Sequence, residues 1–126
     1  MEISVFLNNI KQDFIESCNL YHPKQIGNTI TIYKEGVDLP ELDEFQLAII
    51  GVEEDRNSFD NTGSKDAPNA IRRALYQLFN HWNNVNIIDL GNIKTGFEIE
   101  DTYFALSNVF TTLMKHRIIP IIQPAS

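Results

Sequence analysis

Two rhythms of apolar and polar residues divide the chain near residue 45. Beyond that point the pattern is regular. Residues 47–52 (LAIIGV) form a nearly continuous apolar run, the signature of a strand buried on both faces of a parallel sheet. Residues 53–66 are polar and rich in turn formers, which predicts a loop. A helix follows over 67–82, with Pro68 suited to its first turn and Asp66 placed to cap it. Its apolar positions Ile71, Ala74, Leu75, Leu78, Phe79 and Trp82 recur at helical spacing and predict one buried stripe. Residues 85–90 (VNIIDL) read as a second strand and 91–97 as a loop. A second helix is expected over 98–116. Glu98, Glu100 and Asp101 lie at its start and Lys115, His116 and Arg117 at its end, which complements the helix dipole. Tyr103, Leu106, Phe110, Leu113 and Met114 are expected to share its inner side. Residues 118–122 (IIPII) complete a third strand, in which Pro120 cannot donate to a ladder and so belongs at an edge or an irregularity. The order βαβαβ, with right-handed crossovers, predicts a three-layer α/β fold: part of a doubly wound parallel sheet.

Residues 1–44 are less regular and read as an N-terminal α+β extension to an α/β domain of residues 45–126. Ile3, Val5, Phe6, Ile10, Phe14 and Ile15 could line one face of a first helix, although residues 1–7 could equally be a short strand. Residues 28–33 (NTITIY) alternate as a half-exposed strand does, and an acidic connector runs over 37–45. Three parallel strands leave sheet edges and faces that need covering, by residues 1–44 or by a second subunit, so a homo-oligomer is expected.

Composition narrows the class of function. The chain has 126 residues, 43% of them hydrophobic, and 17 acidic against 10 basic residues, for a formal charge of −7. The basic footprint of a nucleic-acid binder is missing, and anionic membranes are disfavoured for the same reason. No apolar run approaches the roughly 20 residues of a membrane span. The single Cys18 cannot form an intrachain disulfide, and the N-terminus lacks a basic signal-peptide region, so a cytoplasmic protein is expected.

In open parallel sheets, ligands bind beyond the carboxyl ends of the strands. The loop after residue 52 is the richest such place. Glu53, Glu54, Asp55 and Asp60 could hold a hard cation, and Arg56 a carboxylate, although a long polar loop on an acidic protein can also be simply solvated. Asp89 near the end of the second strand could be catalytic or could cap a turn. Gly63-Ser64-Lys65 is not a phosphate-binding loop, and Gly51 opens no dinucleotide fingerprint. His22, His81 and His116 share no ligand spacing, so no metal site is expected from this chain alone.

Taken in series, several short motifs resemble the N-terminal part of the ureohydrolase family: arginase, agmatinase and formimidoylglutamase. They are Ala48-Ile49-Ile50-Gly51-Val52-Glu53-Glu54-Asp55-Arg56, then Gly63, then Ala67-Pro68-Asn69-Ala70-Ile71-Arg72-Arg73. Asp89-Leu90-Gly91-Asn92-Ile93, Glu100-Asp101-Thr102-Tyr103 and Ile118-Ile119-Pro120-Ile121-Ile122 follow. Glu53, where proline is commoner, is most similar to the formimidoylglutamase-like branch. The resemblance implies a binuclear manganese centre in full-length members, whose first histidine ligand stands in a Gly-Gly-x-His segment after the third strand. Here Gln123-Pro124-Ala125-Ser126 stand there instead, so no metal ligand, catalytic residue or cofactor carries over. What does carry over is the rim of the substrate cleft, with Glu53, Asp55, Arg56 and Asn61 as candidate contacts.

Three functions follow as expectations. One is a truncated family member, inactive alone, with a structural or interaction role. Another is a subunit or fragment of an amidine or guanidine hydrolase, completed by another chain or by further sequence. The last is a small anion-binding α/β module, using helix N-termini near residues 67 and 98. A small-molecule or protein partner is left open.

Overall fold

The computed structural model describes residues 3–8, 10, 12–17, 20–34, 38–53, 67–81 and 84–123. A 3-10 turn over Ile3–Phe6 leads into β1 (Leu7–Asn8), α1 (Gln12–Ser17), α2 (Ile26–Thr29) and β2 (Thr31–Ile32). After a second 3-10 turn, Leu42–Glu44, come β3 (Leu47–Val52), α3 (Ala67–Tyr76), β4 (Ile87–Ile93), α4 (Ile99–Lys115) and β5 (Ile119–Gln123). The sheet order is β1-β4-β3-β5, with β2 also on β4. β3 lies parallel to both β4 and β5, so the chain winds outward through α3 and returns across β3 through α4. This is the expected α/β winding, in a mixed five-stranded sheet rather than a purely parallel one.

The added strands, β1 and β2, come from residues that precede β3. β2 runs parallel to β4 at Ile88 and Asp89, while β1 runs antiparallel to it at Asn92 and Ile93. Both lie on the same edge of β4, and all seven β4 residues are buried. Residues 3–45 also enter the main core: Ile3, Leu7, Tyr33, Leu42 and Phe45 pack with Ala48, Ile50 and Val52 of β3 and Ala105, Val109 and Leu113 of α4. The other face of the sheet carries α3 and a smaller cluster of Ile26 and Tyr76, with Phe14, Tyr21, Ile30, Ile32 and Leu75 against it.

Several local expectations are corrected. The first apolar residues form neither one helix nor one strand. Leu7 and Asn8 pair with β4, and that tertiary pairing overrides helical periodicity. Within residues 28–33 only Thr31 and Ile32 are strand, because Asn28 and Thr29 close a short helical turn on Gln25. The first long helix ends at Tyr76 rather than 82, and the expected stripe is not its buried side: Ile71 on the helix and Leu78 and Phe79 beyond it are exposed, whereas Pro68, Arg72 and Tyr76 face inward. α4 matches its expected span, yet Thr102, Ala105, Val109 and Leu113 form its buried side. Tyr103, Phe110 and Met114 point outward. The second strand continues through Gly91, Asn92 and Ile93, which the polar pattern assigns to a loop. Pro120 does lie on an edge strand, opposite Ala48. The Asp66 cap lies outside the described residues, as does Trp82.

Candidate functional site

An arginine stands at the centre of the α3 face. Arg72 projects from the second turn of α3 and is completely buried, as are Tyr76 one turn later and Asp89 in the middle of β4. Its Nε donates to Asp89 Oδ2 at 2.8 Å and its Nη2 to Asp89 Oδ1 at 2.9 Å, a two-point ion pair. Nη2 also donates to the Gly91 carbonyl at 2.7 Å. Nη1 donates to Asn92 Oδ1 at 2.6 Å and to Asn69 Oδ1 at 3.3 Å. A guanidinium has five N–H donors, and every one of them is used. Asp89 is equally occupied: Tyr76 Oη donates to Oδ2 at 2.5 Å and the Gly91 N–H to Oδ1 at 2.9 Å. Satisfaction at both ends is what lets two opposite charges sit in a region without water.

The backbone of β4 makes this geometry possible. Successive strand residues point to opposite faces, so Asp89 and Asn92, three apart, ought to face opposite ways. Instead both meet Arg72. The pairing with β3 steps from Ile49–Asp89 to Gly51–Asn92, so β4 carries one extra residue there, a bulge. Gly91 sits in the bulge with φ of 82°, a conformation that glycine adopts without steric cost. The bulge turns Asn92 onto the α3 face and aims the Gly91 carbonyl at the guanidinium. Across the sheet, Gly51 clears the space: a Cβ there would collide with Asn92 Oδ1 and approach Pro68 Cβ to 2.8 Å.

Gly51 of β3 and Gly91 and Asn92 of β4 lie toward the carboxyl ends of their strands, beyond which a doubly wound sheet places its ligands. Glu53 stands half-buried immediately beyond β3. Asp55, Arg56 and Asn61, the other rim candidates, lie outside the described residues. Gln123 ends β5 opposite Gly51; it is buried, and its side-chain oxygen has no hydrogen-bond partner among the described residues.

Chemically the Arg72–Asp89 pair is a brace. It ties α3 to β4 and leaves neither a free carboxylate lone pair nor a free guanidinium hydrogen for a ligand. Among the described residues, no three His, Cys, Asp or Glu side chains come together to hold a metal ion. The described donors therefore do not fit the manganese centre that the resemblance implies. His22 and His81 flank the Phe79 ring, at centroid distances of 5.4 and 6.4 Å, and His116 Nδ1 meets Asp43 Oδ1 at 2.6 Å. Two cavities among the described residues lie toward the amino-terminal end of the strands. One of about 310 Å³ is lined by Leu42, Thr112 and His116, the other of about 410 Å³ by Lys24, His81 and Asn86.

Periodicity alone misses Arg72, Tyr76, Asn69 and Asn92, because a polar residue on an amphipathic helix reads as solvent-facing. The available signal is Asp89, an acid within an apolar strand run, which needs hydrogen-bond donors or a cation if it is buried.

The winding order and the helix on each face define a doubly wound α/β protein. Residues 45–122, more than half of the chain, match the model of the arginase family, and the chain belongs to that family. No curated protein and no solved structure matches it. No helix among the described residues is long and apolar enough to cross a membrane.

Proposed function

We propose that this chain is an arginase-family domain of the formimidoylglutamase-like branch. In this reading it is inactive alone and serves as a structural or interaction unit in the cytoplasm. The observation that carries the reading is the state of the ionic centre found at the sheet among the described residues. Every donor of Arg72 and every acceptor site of Asp89 is engaged in bracing α3 on β4, and no metal-holding cluster stands among the described residues. Glu53, Asp55, Arg56 and Asn61 are then the rim positions that contact a small ligand. Glu53, at a position where proline is commoner in the family, supports the branch.

The test is activity of the purified chain with arginine, agmatine and formiminoglutamate, with and without manganese. No release of urea, ammonia or formamide is expected; metal-dependent release of any of them refutes the reading. A second reading, a hydrolase subunit completed by another chain, is favoured by exposed Ile119, Ile121 and Ile122 on β5. A native-extract complex that contains a second polypeptide and hydrolyses an amidine supports it, and a partner-free particle removes it.

A further inference from the structure

The outward side of α4 carries an unusual seam for an acidic surface helix. Tyr103, Phe110 and Met114 are 51%, 40% and 54% exposed, and Ser107, also exposed, lies between them. At 100° per residue, positions 103, 107, 110 and 114 fall within an arc of about 60°, and this arc is centred about 125° round the helix from the buried residues 102, 105, 109 and 113. Their spacing of four, three and four is that of a helix packed along a seam against another helix. Among the described residues, none covers these side chains to the extent the core is covered. Exposed apolar groups aligned in this way mark an interaction surface more often than a solvated one.

The ends of α4 indicate the partner. Glu98, Glu100 and Asp101 stand at the amino-terminal end and Lys115 and Arg117 at the carboxyl-terminal end. Asp101 is engaged in accepting the Glu98 N–H at 3.0 Å. Among the described residues, neither Glu100 nor Lys115 has an ion-pair partner in its own chain. A second α4 laid antiparallel about a two-fold axis sets Tyr103 against Met114 and Ser107 against Phe110, small opposite large. The same register brings the acidic end of each helix against the basic end of the other. We propose that α4 is the interface of a homodimer of this chain, packed antiparallel through Tyr103, Ser107, Phe110 and Met114. A two-fold axis requires one patch to complement itself, and the polarity of α4 meets that requirement. The other open surface, the edge of β5, is less suited to a copy. Ile119 N–H donates inward to Gln46, so strand alternation turns Pro120, which has no N–H, toward the outer edge.

One helix seam makes a small interface, so association is weak, with a dissociation constant of about 10–100 µM. Sedimentation equilibrium of the full chain, at physiological ionic strength so that close charge pairs still act, reads the mass across that range. The expected result is a shift from 14.4 kDa toward twice that mass. Phe110→Glu, on an exposed position, abolishes the shift while far-UV circular dichroism and the melting temperature hold. Glu100→Lys alone weakens association about 5- to 20-fold, as does Lys115→Glu with Arg117→Glu, and combining all three restores it. A strict monomer throughout the range overturns the proposal. So does a dimer indifferent to Phe110→Glu, which would place the contact on another face, or charge changes that fail to rescue one another.

Discussion

Replacing Arg72 by methionine tests the brace between α3 and β4. The side chain is fully buried and makes five hydrogen bonds, two of them to the carboxylate of Asp89. Methionine fills much of the volume and supplies none of the donors. Asp89 keeps the Tyr76 hydroxyl and the Gly91 N–H but loses its counter-charge, while Asn92 Oδ1 and the Gly91 carbonyl lose a donor each. Stranding one member of a buried ion pair costs about 3–5 kcal/mol. That is a large share of the roughly 5–15 kcal/mol that holds a domain folded. Asp89→Leu should cost a similar amount, because it strands the guanidinium and the Tyr76 hydroxyl. The double variant removes both charges, so its cost should fall well below the sum, with a coupling of at least about 2 kcal/mol. Urea unfolding followed by far-UV circular dichroism measures each value; with a slope near 1–3 kcal/mol per molar, each single variant shifts its midpoint by about 2 M. A loss below about 1 kcal/mol for Arg72→Met, or single losses that simply add, would refute the assignment of the pair as a coupled brace.

Two further variants probe the surrounding geometry. Gly51→Ala should destabilise the chain by about 1–3 kcal/mol in the same urea assay, since the new methyl collides with Asn92 Oδ1, which Arg72 holds in place. Asp101→Ala should cost about 1 kcal/mol, read as a lower melting temperature, because the Glu98 N–H at the start of the 17-residue α4 loses its acceptor.

Periodicity captured elements whose burial is uniform and whose ends carry their own signals. β3 spans Leu47–Val52 because a continuous apolar run leaves no face to misassign, and α4 ends at Lys115 beside the charges that suit its dipole. Faces of helices were harder to read. In α3 the inward positions include an arginine and a tyrosine whose burial depends on an aspartate 17 residues away, and no local window contains that dependence. In α4 the larger apolar residues lie outward, so ranking by size selects the wrong side. β4 ran past its expected end because Asn92 owes its place in the sheet to a bulge. The family resemblance succeeded where periodicity failed, since its motifs include both Arg72 and Asp89. It gave their positions and not their contact. Of the rim candidates, Glu53 alone falls within the described residues.

The Arg72 brace also constrains when the parts of the chain can come together. Its partners are split between α3 and β4, and the latest of them in sequence is Asn92. A nascent chain that has emerged only as far as α3 does not yet hold Asp89 or Asn92, so the native partners of the guanidinium are missing. Docking of α3 therefore waits for β4, and the bulge at Gly91 has to form in the same event, since it supplies one acceptor directly and orients another. Helix and strand are thereby obliged to assemble as one cooperative unit, with a buried charge acting as the latch.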